Sequence, residues 1–285
     1  MTLPSAGPPT GVWGKTMSDN ENKLSRRSVL KHSTLATGSV ILGGTAATGT
    51  AAAGIGDGRV AHYNLNNLHL NKETDEKIKN FVHDASTENN HGTNNGSEVV
   101  NDGVVGKSYE FDGSDDYVEI TDDSSLDIQD ELTISFWFRL DGESDNNRYP
   151  RAVSKGQSTG GNGAYGVYIE DTGGTPNRIG LRFVDTVGDS HDVNTGNSLD
   201  HYDDEMWHHV VVTYSNSGNV GRLYFDNTVE VDKTFSDDIS IRTTSDALHL
   251  GDGNGERHFN GALDEVRIYN RALSSSEVTE LYEMK

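Results

Sequence analysis

Two adjacent carboxylate pairs, Asp115-Asp116 and Asp264-Glu265, are candidates for acid–base chemistry in this chain. Cleavage of a glycosidic bond needs two carboxyl groups about 5–5.5 Å apart for retention or about 6.5–9.5 Å apart for inversion. Asp115 and Asp116 stand in a turn-forming run. Asp264 and Glu265 stand in a strand-like run, where neighbours point to opposite faces. Catalytic acids could still converge from distant loops, so a glycoside hydrolase or lyase stays open as an alternative.

Asp264 is also the carboxylate with the most unusual surroundings. Strand alternation places it on one face with Ala262, Val266 and Ile268, so we expect it to be buried. A buried carboxylate is costly unless it is hydrogen-bonded or bound to a metal ion. Calcium takes oxygen ligands, from carboxylates, Asn side chains and carbonyls. Two explanations stay open: a structural calcium ion, or hydrogen bonds from loop amides without a metal.

The histidines do not form a metal-binding pattern. The chain has no His-Glu-x-x-His motif and no cysteine. His208 and His209 are adjacent on a strand-like run, so they point to opposite faces and cannot share an ion. We expect the histidines to pack or to form hydrogen bonds.

An acidic run, Asp252-Gly-Asn-Gly-Glu256, alternates oxygen-bearing side chains with glycines. This resembles the start of a calcium loop, but the distal Glu of that pattern is missing. We therefore expect a hairpin turn between two strands.

Tyrosine and arginine side chains form a candidate ligand site. Sugars stack on exposed aromatic rings and bind a few well-placed polar groups in a cleft. The candidates in or beside Gly- and Asn-rich loops are Tyr149, Arg151, Tyr165, Tyr168 and Tyr202. Ordinary packing in the core or at its rim is the alternative for each. A sulfated glycan would need a basic cluster, and Arg148 with Arg151 is the close basic pair that the loops offer.

Short strand-like runs must position these residues. The run 132–140 alternates, with Ile134, Phe136, Phe138 and Leu140 on one face. The run 207–214 is apolar on both faces, which is typical of a central strand. About a dozen such runs, separated by turn residues, predict two packed antiparallel sheets.

Two local signals complete the predicted elements. Asp226-Asn227 separates two strand-like runs and predicts a hairpin. Ser274-Ser-Ser-Glu277 is a capping box, which predicts one short C-terminal helix. Val278, Leu281 and Tyr282 form the apolar face of that helix.

Four motifs in order resemble the laminin-G-like branch of the concanavalin A-like jelly rolls. They are DASTENNHGT at 84–93, FDGSDDYVEI at 111–120, WHHVVVTY at 207–214 and ALDEVRIYNRAL at 262–273. The resemblance covers roughly 60–283. It implies an all-β fold, a two-sheet antiparallel jelly-roll sandwich with one short C-terminal helix. Exported members bind sugars, sulfated glycans or proteins. The concanavalin A-like glucanases carry their catalytic acids as Glu-x-Asp-x-x-Glu on one strand, and that run does not occur here.

The resemblance also implies a structural calcium ion that ties the N-terminal loop to the last strand. Asp84 and Asn90 stand where the family places such ligands, and Asp264 is the candidate on the last strand. His91 departs from the acidic residue usual in this motif, so only its carbonyl could contribute. No catalytic residue is assigned.

The N-terminal segment resembles a twin-arginine export signal. Its motif residues are Ser25, Arg26, Arg27, Leu30 and Lys31, and a weakly apolar stretch then ends at Ala51-Ala-Ala53. We expect residues 1–53 to be a disordered N-terminus with this signal, and 54–285 to be a laminin-G-like domain. Export through the twin-arginine translocase would place it outside the cell or at its surface. The stretch is too short and polar for a membrane helix, and no membrane anchor is expected.

Charge limits the class of partner. The chain has 45 acidic and 23 basic residues, a formal charge of -22. Repulsion disfavours a polyanion such as nucleic acid. The 11 Tyr, 8 Phe and regular strand-like runs disfavour disorder of the mature chain. We expect a surface adapted to molar salt, where charge repulsion is screened within about 3 Å. Without cysteine there is no disulfide framework.

These observations favour an exported, salt-adapted, non-catalytic binding module. Carbohydrate is favoured over a surface protein as its ligand. A glycoside hydrolase or lyase of the same fold is one alternative. The other is a protein-contacting adhesion or surface module, which would need an exposed apolar patch.

Overall fold

A computed structural model describes residues 53–64, 80–141, 149–156, 163–170, 178–196, 199 and 205–285. These residues belong to the second of two units into which the chain divides, Ala51–Lys285. The predicted signal residues, Ser25 to Lys31, and the candidate Tyr202 lie outside the described residues. Export therefore stays a prediction.

The described residues form sixteen strands and one α-helix. In chain order they are β1 (Arg59–Tyr63), β2 (Phe81–Val82), β3 (Gly92–Asn95), β4 (Glu98–Gly103), β5 (Gly106–Asp112), β6 (Tyr117–Ile120), β7 (Glu131–Leu140), β8 (Arg151–Lys155), β9 (Tyr165–Glu170), β10 (Arg178–Val184), β11 (Ser190–Asn194), β12 (His208–Ser215), β13 (Val220–Phe225), β14 (Thr228–Thr234), β15 (Leu248–Leu250), β16 (Asn260–Tyr269) and α1 (Ser275–Glu283). A single 3-10 turn, Ser124–Leu126, precedes β7.

The strands form two antiparallel sheets of eight strands each. The first sheet has the order β14-β13-β12-β7-β16-β5-β4, and β1 pairs with the other end of β16. The second sheet has the order β11-β10-β9-β8-β15-β6-β3-β2. This architecture confirms the predicted two-sheet, jelly-roll-type sandwich with one helix near the C-terminus.

Strand alternation builds the core between the sheets. Ile134, Phe136, Phe138 and Leu140 of β7 all point into one buried cluster, as the sequence predicts. Val167 and Ile169 of β9 enter the same cluster from the second sheet. Each fully buried aliphatic or aromatic side chain contributes about 1.5–3 kcal/mol relative to an exposed one.

Helix α1 covers the outer face of the first sheet. Ser274 and Glu277 form the predicted capping box, which satisfies the first amides of the helix. Val278 and Leu281 pack with Val211 and other residues of the first sheet in a second buried cluster. Tyr282 stacks on Trp137, with ring centres 5.4 Å apart. This face of the sandwich is therefore occupied by the chain itself.

Two turns show how the strands are connected. Asp226 and Asn227, both with positive φ, join β13 to β14 in the predicted hairpin. Residues 251–259 also connect consecutive strands, but β15 belongs to the second sheet and β16 to the first. The predicted hairpin turn at Asp252–Glu256 is therefore wrong, because this loop crosses between the sheets.

A β-bulge changes the phase of β16. Asp264 pairs with Trp137, but Arg267 pairs with Ser135, so one extra residue lies between them. Glu265 takes a left-handed conformation there, with φ of 51°. Asp264 consequently shares the outer face with Ala262, while Val266 and Ile268 point into the core. The sequence correctly predicts the burial of Asp264 but places Val266 and Ile268 on the wrong side.

Candidate functional site

The outer face of the second sheet carries a cluster of tyrosine and arginine side chains at β8, β9 and β10. On β10, Ile179 and Leu181 point into the core, so Arg182 points outward. On β9, Tyr168 alternates in the same way with Val167 and Ile169. We call the cluster the outer-face site and define it as Tyr149, Arg151, Tyr168, Arg182, Asp192 and Arg257.

Two tyrosine rings form the apolar part of the outer-face site. The Tyr149 and Tyr168 rings meet edge to face, with their centres 5.5 Å apart. The guanidinium carbon of Arg151 lies 5.2 Å from the ring centre of Tyr168, and that of Arg257 lies 5.5 Å from the ring centre of Tyr149. Tyr168 and Arg151 are almost fully buried and form the floor, whereas Tyr149 and Arg257 remain partly exposed.

Gly180 leaves space for the Tyr168 side chain, which forms part of the floor of the site. It pairs with Tyr168 across β9 and β10. A Cβ at this position would lie 2.7 Å from both Cζ and the hydroxyl oxygen of Tyr168. The hydroxyl end of the Tyr168 ring therefore lies against Gly180, and its position depends on the missing side chain.

Ion pairs hold the arginines at the rim. Arg182 contacts Asp192 across β10 and β11, with 3.0 Å between Nη2 and Oδ2 and a second hydrogen bond from Nε. Arg178 contacts Glu170 at 3.1 Å on the same face. The carboxylates near the site thus engage arginines, an arrangement that positions the guanidinium groups.

The electrostatics of the site follow from burial and from the gathered positive charges. Burial, together with the charges of Arg257 and Arg182, lowers the pKa of Arg151 to about 9. Burial also lowers the pKa of Arg257. The hydrogen bonds that Arg182 donates to Asp192 raise the pKa of Arg182. Arg151 remains charged at neutral pH, so the outer-face site presents positive charge beside aromatic rings.

The 251–259 loop brings Arg257 into the site. The carbonyl oxygen of Arg257 accepts a hydrogen bond of 2.9 Å from the Arg151 amide. Asp252, fully buried, anchors the loop because its Oδ2 accepts from the Gly255 amide and contacts Nδ1 of His249. The acidic run Asp252–Glu256, which resembles a calcium loop, instead forms the loop that holds Arg257 beside Arg151.

The predicted ligand-binding residues separate into three groups. Tyr149, Arg151 and Tyr168 come together in the outer-face site. Tyr165 does not, because it points into the core and its hydroxyl donates to the Leu126 carbonyl at 2.9 Å. Tyr202 lies outside the described residues. Sequence reasoning missed Arg182, although the alternation of β10 already places it opposite Leu181.

Asp84 and Asn90, two predicted calcium ligands, lie side by side. The Asn90 amide donates to Oδ2 of Asp84 at 2.8 Å. The Asp84 carboxylate also accepts hydrogen bonds from the amides of His62 and Ser86 and from the Ser86 hydroxyl. The side-chain amide of Asn90 donates to the Val60 carbonyl at 2.8 Å. Hydrogen bonds alone therefore satisfy the buried Asp84.

Asp264 belongs to a different set of contacts. Its two oxygens accept from the amides of Val105, at 2.9 Å, and Glu265, at 2.7 Å. Asp84 and Asp264 share no hydrogen-bond partner in the described part of the chain. Within the described ranges, the acids that do converge are Asp112, Asp115 and Asp116 in an exposed turn, which includes none of the predicted ligands. Calcium stays a prediction that chelation can test.

The remaining surface offers scattered apolar side chains. The exposed large hydrophobic residues in the described segments are Phe81, Val187, Met206, Val229 and Met284. They stand on separate elements, and isolated exposed apolar residues are ordinary. No helix in the described residues is long and apolar enough to cross a membrane.

Comparison with known families identifies one matching domain. A family model described as the concanavalin A-like lectin/glucanases superfamily matches residues 112–279, more than half of the chain. The matched segment includes β6 to β16 and therefore the whole outer-face site. No curated protein sequence matches the chain.

Solved structures share the fold at low sequence identity. The binding domain of Paraclostridial Mosquitocidal Protein 1 is 19% identical with a TM-score of 0.61, over 80% of this chain and 52% of that one. The binding domain of botulinum neurotoxin DC, in complex with SialylT, is 15% identical with a TM-score of 0.58, over 80% and 52%. This chain thus spans about half the length of those toxin domains. Domain 4 of AbnA, a GH43 extracellular arabinanase from Geobacillus stearothermophilus, in complex with arabinotriose, is 18% identical with a TM-score of 0.57, over 79% and 98%.

Proposed function

The chain belongs to the concanavalin A-like lectin/glucanase superfamily, and on that premise we propose that it is a non-catalytic module that binds carbohydrate. The observation that carries the proposal is the outer-face site itself. A partly exposed ring, Tyr149, stands beside the partly exposed guanidinium of Arg257. Sugar binding needs this combination of an apolar platform and polar groups with fixed directions.

The position of the site supports the same proposal. The outer face of the first sheet is covered by α1, whereas no helix packs on the second sheet in the described part of the chain. Domain 4 of the arabinanase, which has the same fold, was solved with arabinotriose. A sheet face that the described residues leave without a covering helix is well suited to an extended glycan.

The carboxylates of the site favour binding over cleavage. Asp192 and Glu170 each form an ion pair with an arginine and so act as positioning groups. Glycoside cleavage needs one carboxylic acid and one carboxylate that flank the bond. We assign no residue to either role. Export, surface location and adaptation to salt remain part of the proposal and rest on the sequence.

The test is an affinity measurement with Tyr149→Ala. Affinity gels cast with arabinan, xylan, dextran and polygalacturonate would screen the full chain and the variant. We expect the retardation of the wild type by its preferred glycan to fall roughly tenfold or more in the variant, because about 1–3 kcal/mol of ring contact is removed. Tyr282→Ala removes a partly exposed ring from α1, on the opposite face of the sandwich, and serves as the matched control. Equal loss in both variants, or no retardation of the wild type by any glycan, would contradict the proposal.

A further inference from the structure

The arginines of the outer-face site stand out against the charge of the whole chain. The chain carries a formal charge of -22, yet Arg151, Arg182 and Arg257 act on one another at this face. Arg182 has Asp192 as its partner, and Glu256 neighbours Arg257 in the loop. On Arg151 the repulsion from the other two arginines is the largest effect of nearby charges. The potential at the floor of the site is therefore positive.

Gathering like charges in a partly buried site is unfavourable unless something offsets it. Within the described residues, Nε of Arg257 is buried and has no hydrogen-bond partner. A buried donor without an acceptor costs about 1–3 kcal/mol. An anionic acceptor that binds at the partly exposed guanidinium groups of Arg257 and Arg182 would relieve the repulsion between the arginines.

We propose that the outer-face site takes an acidic sugar, whose anionic oxygens accept hydrogen bonds from Arg257 and Arg182 while its ring packs on Tyr149. The inference rests on the proposed function and names the ligand class. Carboxylate and sulfate share the chemistry that arginine recognises, which is a set of oxygens that matches the planar guanidinium fork. Asp192 orients Arg182 toward the ligand.

The acidic surface does not conflict with an acidic ligand. Repulsion from distant exposed carboxylates is long-ranged and is screened within about 3 Å in molar salt. Contacts inside a partly buried site are screened much less. We therefore expect an acidic glycan to bind more tightly as salt rises from low to molar concentration, the reverse of the behaviour of a basic protein on a polyanion.

The experiment uses two pairs of polymers, each an anionic polymer and an uncharged counterpart with the same sugar backbone. The full chain would be titrated in molar salt with polygalacturonate and its fully methyl-esterified form, and with dextran sulfate and dextran. Tighter binding of polygalacturonate than of its ester supports the inference with a carboxylate. Tighter binding of dextran sulfate than of dextran supports it with a sulfate. Equal binding of charged and neutral partners would overturn the inference and leave the proposed function standing. No binding to any of these four polymers, or to arabinan and xylan, would overturn both the inference and the proposed function.

Arginine variants test whether the charged polymer binds at the outer-face site. Arg257→Gln and Arg182→Gln should each weaken binding of the charged polymer roughly 10- to 100-fold, because each removes a charge-assisted hydrogen bond. Arg222→Gln is the matched control, since Arg222 also forms a cross-strand pair with an aspartate, Asp232, at 3.3 Å, but on the other sheet. Thermal melting of each of the three variants would check that it folds. Wild-type affinity in both Arg257→Gln and Arg182→Gln would contradict the inference.

Discussion

At the residue scale, β9 shows how far the sequence predicts the site. Tyr165 and Tyr168 both stand beside Gly-rich loops, and composition alone does not separate them. They are three positions apart, so strand alternation places them on opposite faces. Tyr168 joins the outer-face site, whereas Tyr165 joins the core. The period of the strand therefore decides which tyrosine can reach a ligand.

Asp264 gives a prediction for stability against pH. Burial raises the pKa of Asp264 from 3.8 to about 6. Folding therefore favours its protonated form, so its stabilising contribution is complete below about pH 4 and is lost as pH rises through about 6. We expect the wild-type free energy of unfolding, measured relative to Asp264→Asn, to fall by up to about 3 kcal/mol across that window. Urea unfolding at stepped pH measures it.

The direction of that slope also tests for a metal. A calcium ion on Asp264 would favour the carboxylate, so stability would rise with pH in the presence of calcium. A difference between wild type and Asp264→Asn that stays flat or rises from pH 4 to 6 would contradict a buried Asp264 without a metal ion.

Asp84 gives a prediction about chelation. Four hydrogen bonds from its neighbours already satisfy this carboxylate. We therefore expect the melting temperature of the full chain to be the same in EDTA as in excess calcium, by calorimetry. A melting temperature that falls in EDTA and recovers only with calcium would contradict this expectation and support the predicted calcium site.

At the element scale, the two long C-terminal elements differ in how well the sequence predicts them. The capping box at Ser274 is local, so it is visible in four residues and is confirmed. The bulge in β16 depends on how Asp264 and Arg267 pair with β7, and a single strand does not contain that information. The crossing of the 251–259 loop from the second sheet to the first cannot be predicted from the sequence for the same reason, since it depends on which strands pair with β15 and β16.

Strand β10 supplies the prediction at this scale. Gly180→Ala places a Cβ 2.7 Å from the Tyr168 ring and from Cβ of Asn194. The ring must move, so we expect glycan affinity to fall roughly tenfold while overpacking costs about 1–3 kcal/mol of stability. Isothermal titration together with urea unfolding separates the two effects.

A glycine whose would-be Cβ makes only ordinary contacts provides the control. Gly218, in the turn before β13, has no atom closer than 3.5 Å to its would-be Cβ, so Gly218→Ala should leave binding unchanged. Wild-type affinity in Gly180→Ala would show that binding does not depend on the position of Tyr168 against Gly180.

At the scale of the whole molecule, a sandwich of two sheets leaves one outer face covered by α1 and one that carries the outer-face site. Hydrophobic alternation and the order of the motifs are enough to predict this architecture. The arginine cluster is not predictable in the same way, because Arg151, Arg182 and Arg257 come from three distant segments. Only the pairing of β8, β9 and β10 and the crossing loop bring them together.

The central claim is that this molecule binds carbohydrate without cleaving it. The most direct measurement mixes the full chain, in molar salt, with soluble polysaccharides and follows binding and the release of new reducing ends in the same samples. We predict saturable binding of at least one glycan, weakened in Tyr149→Ala, with no release above the buffer blank. Release of reducing ends that depends on the protein would contradict the claim and identify a glycoside hydrolase. The absence of binding to any glycan would also contradict it and would favour a protein-contacting surface module.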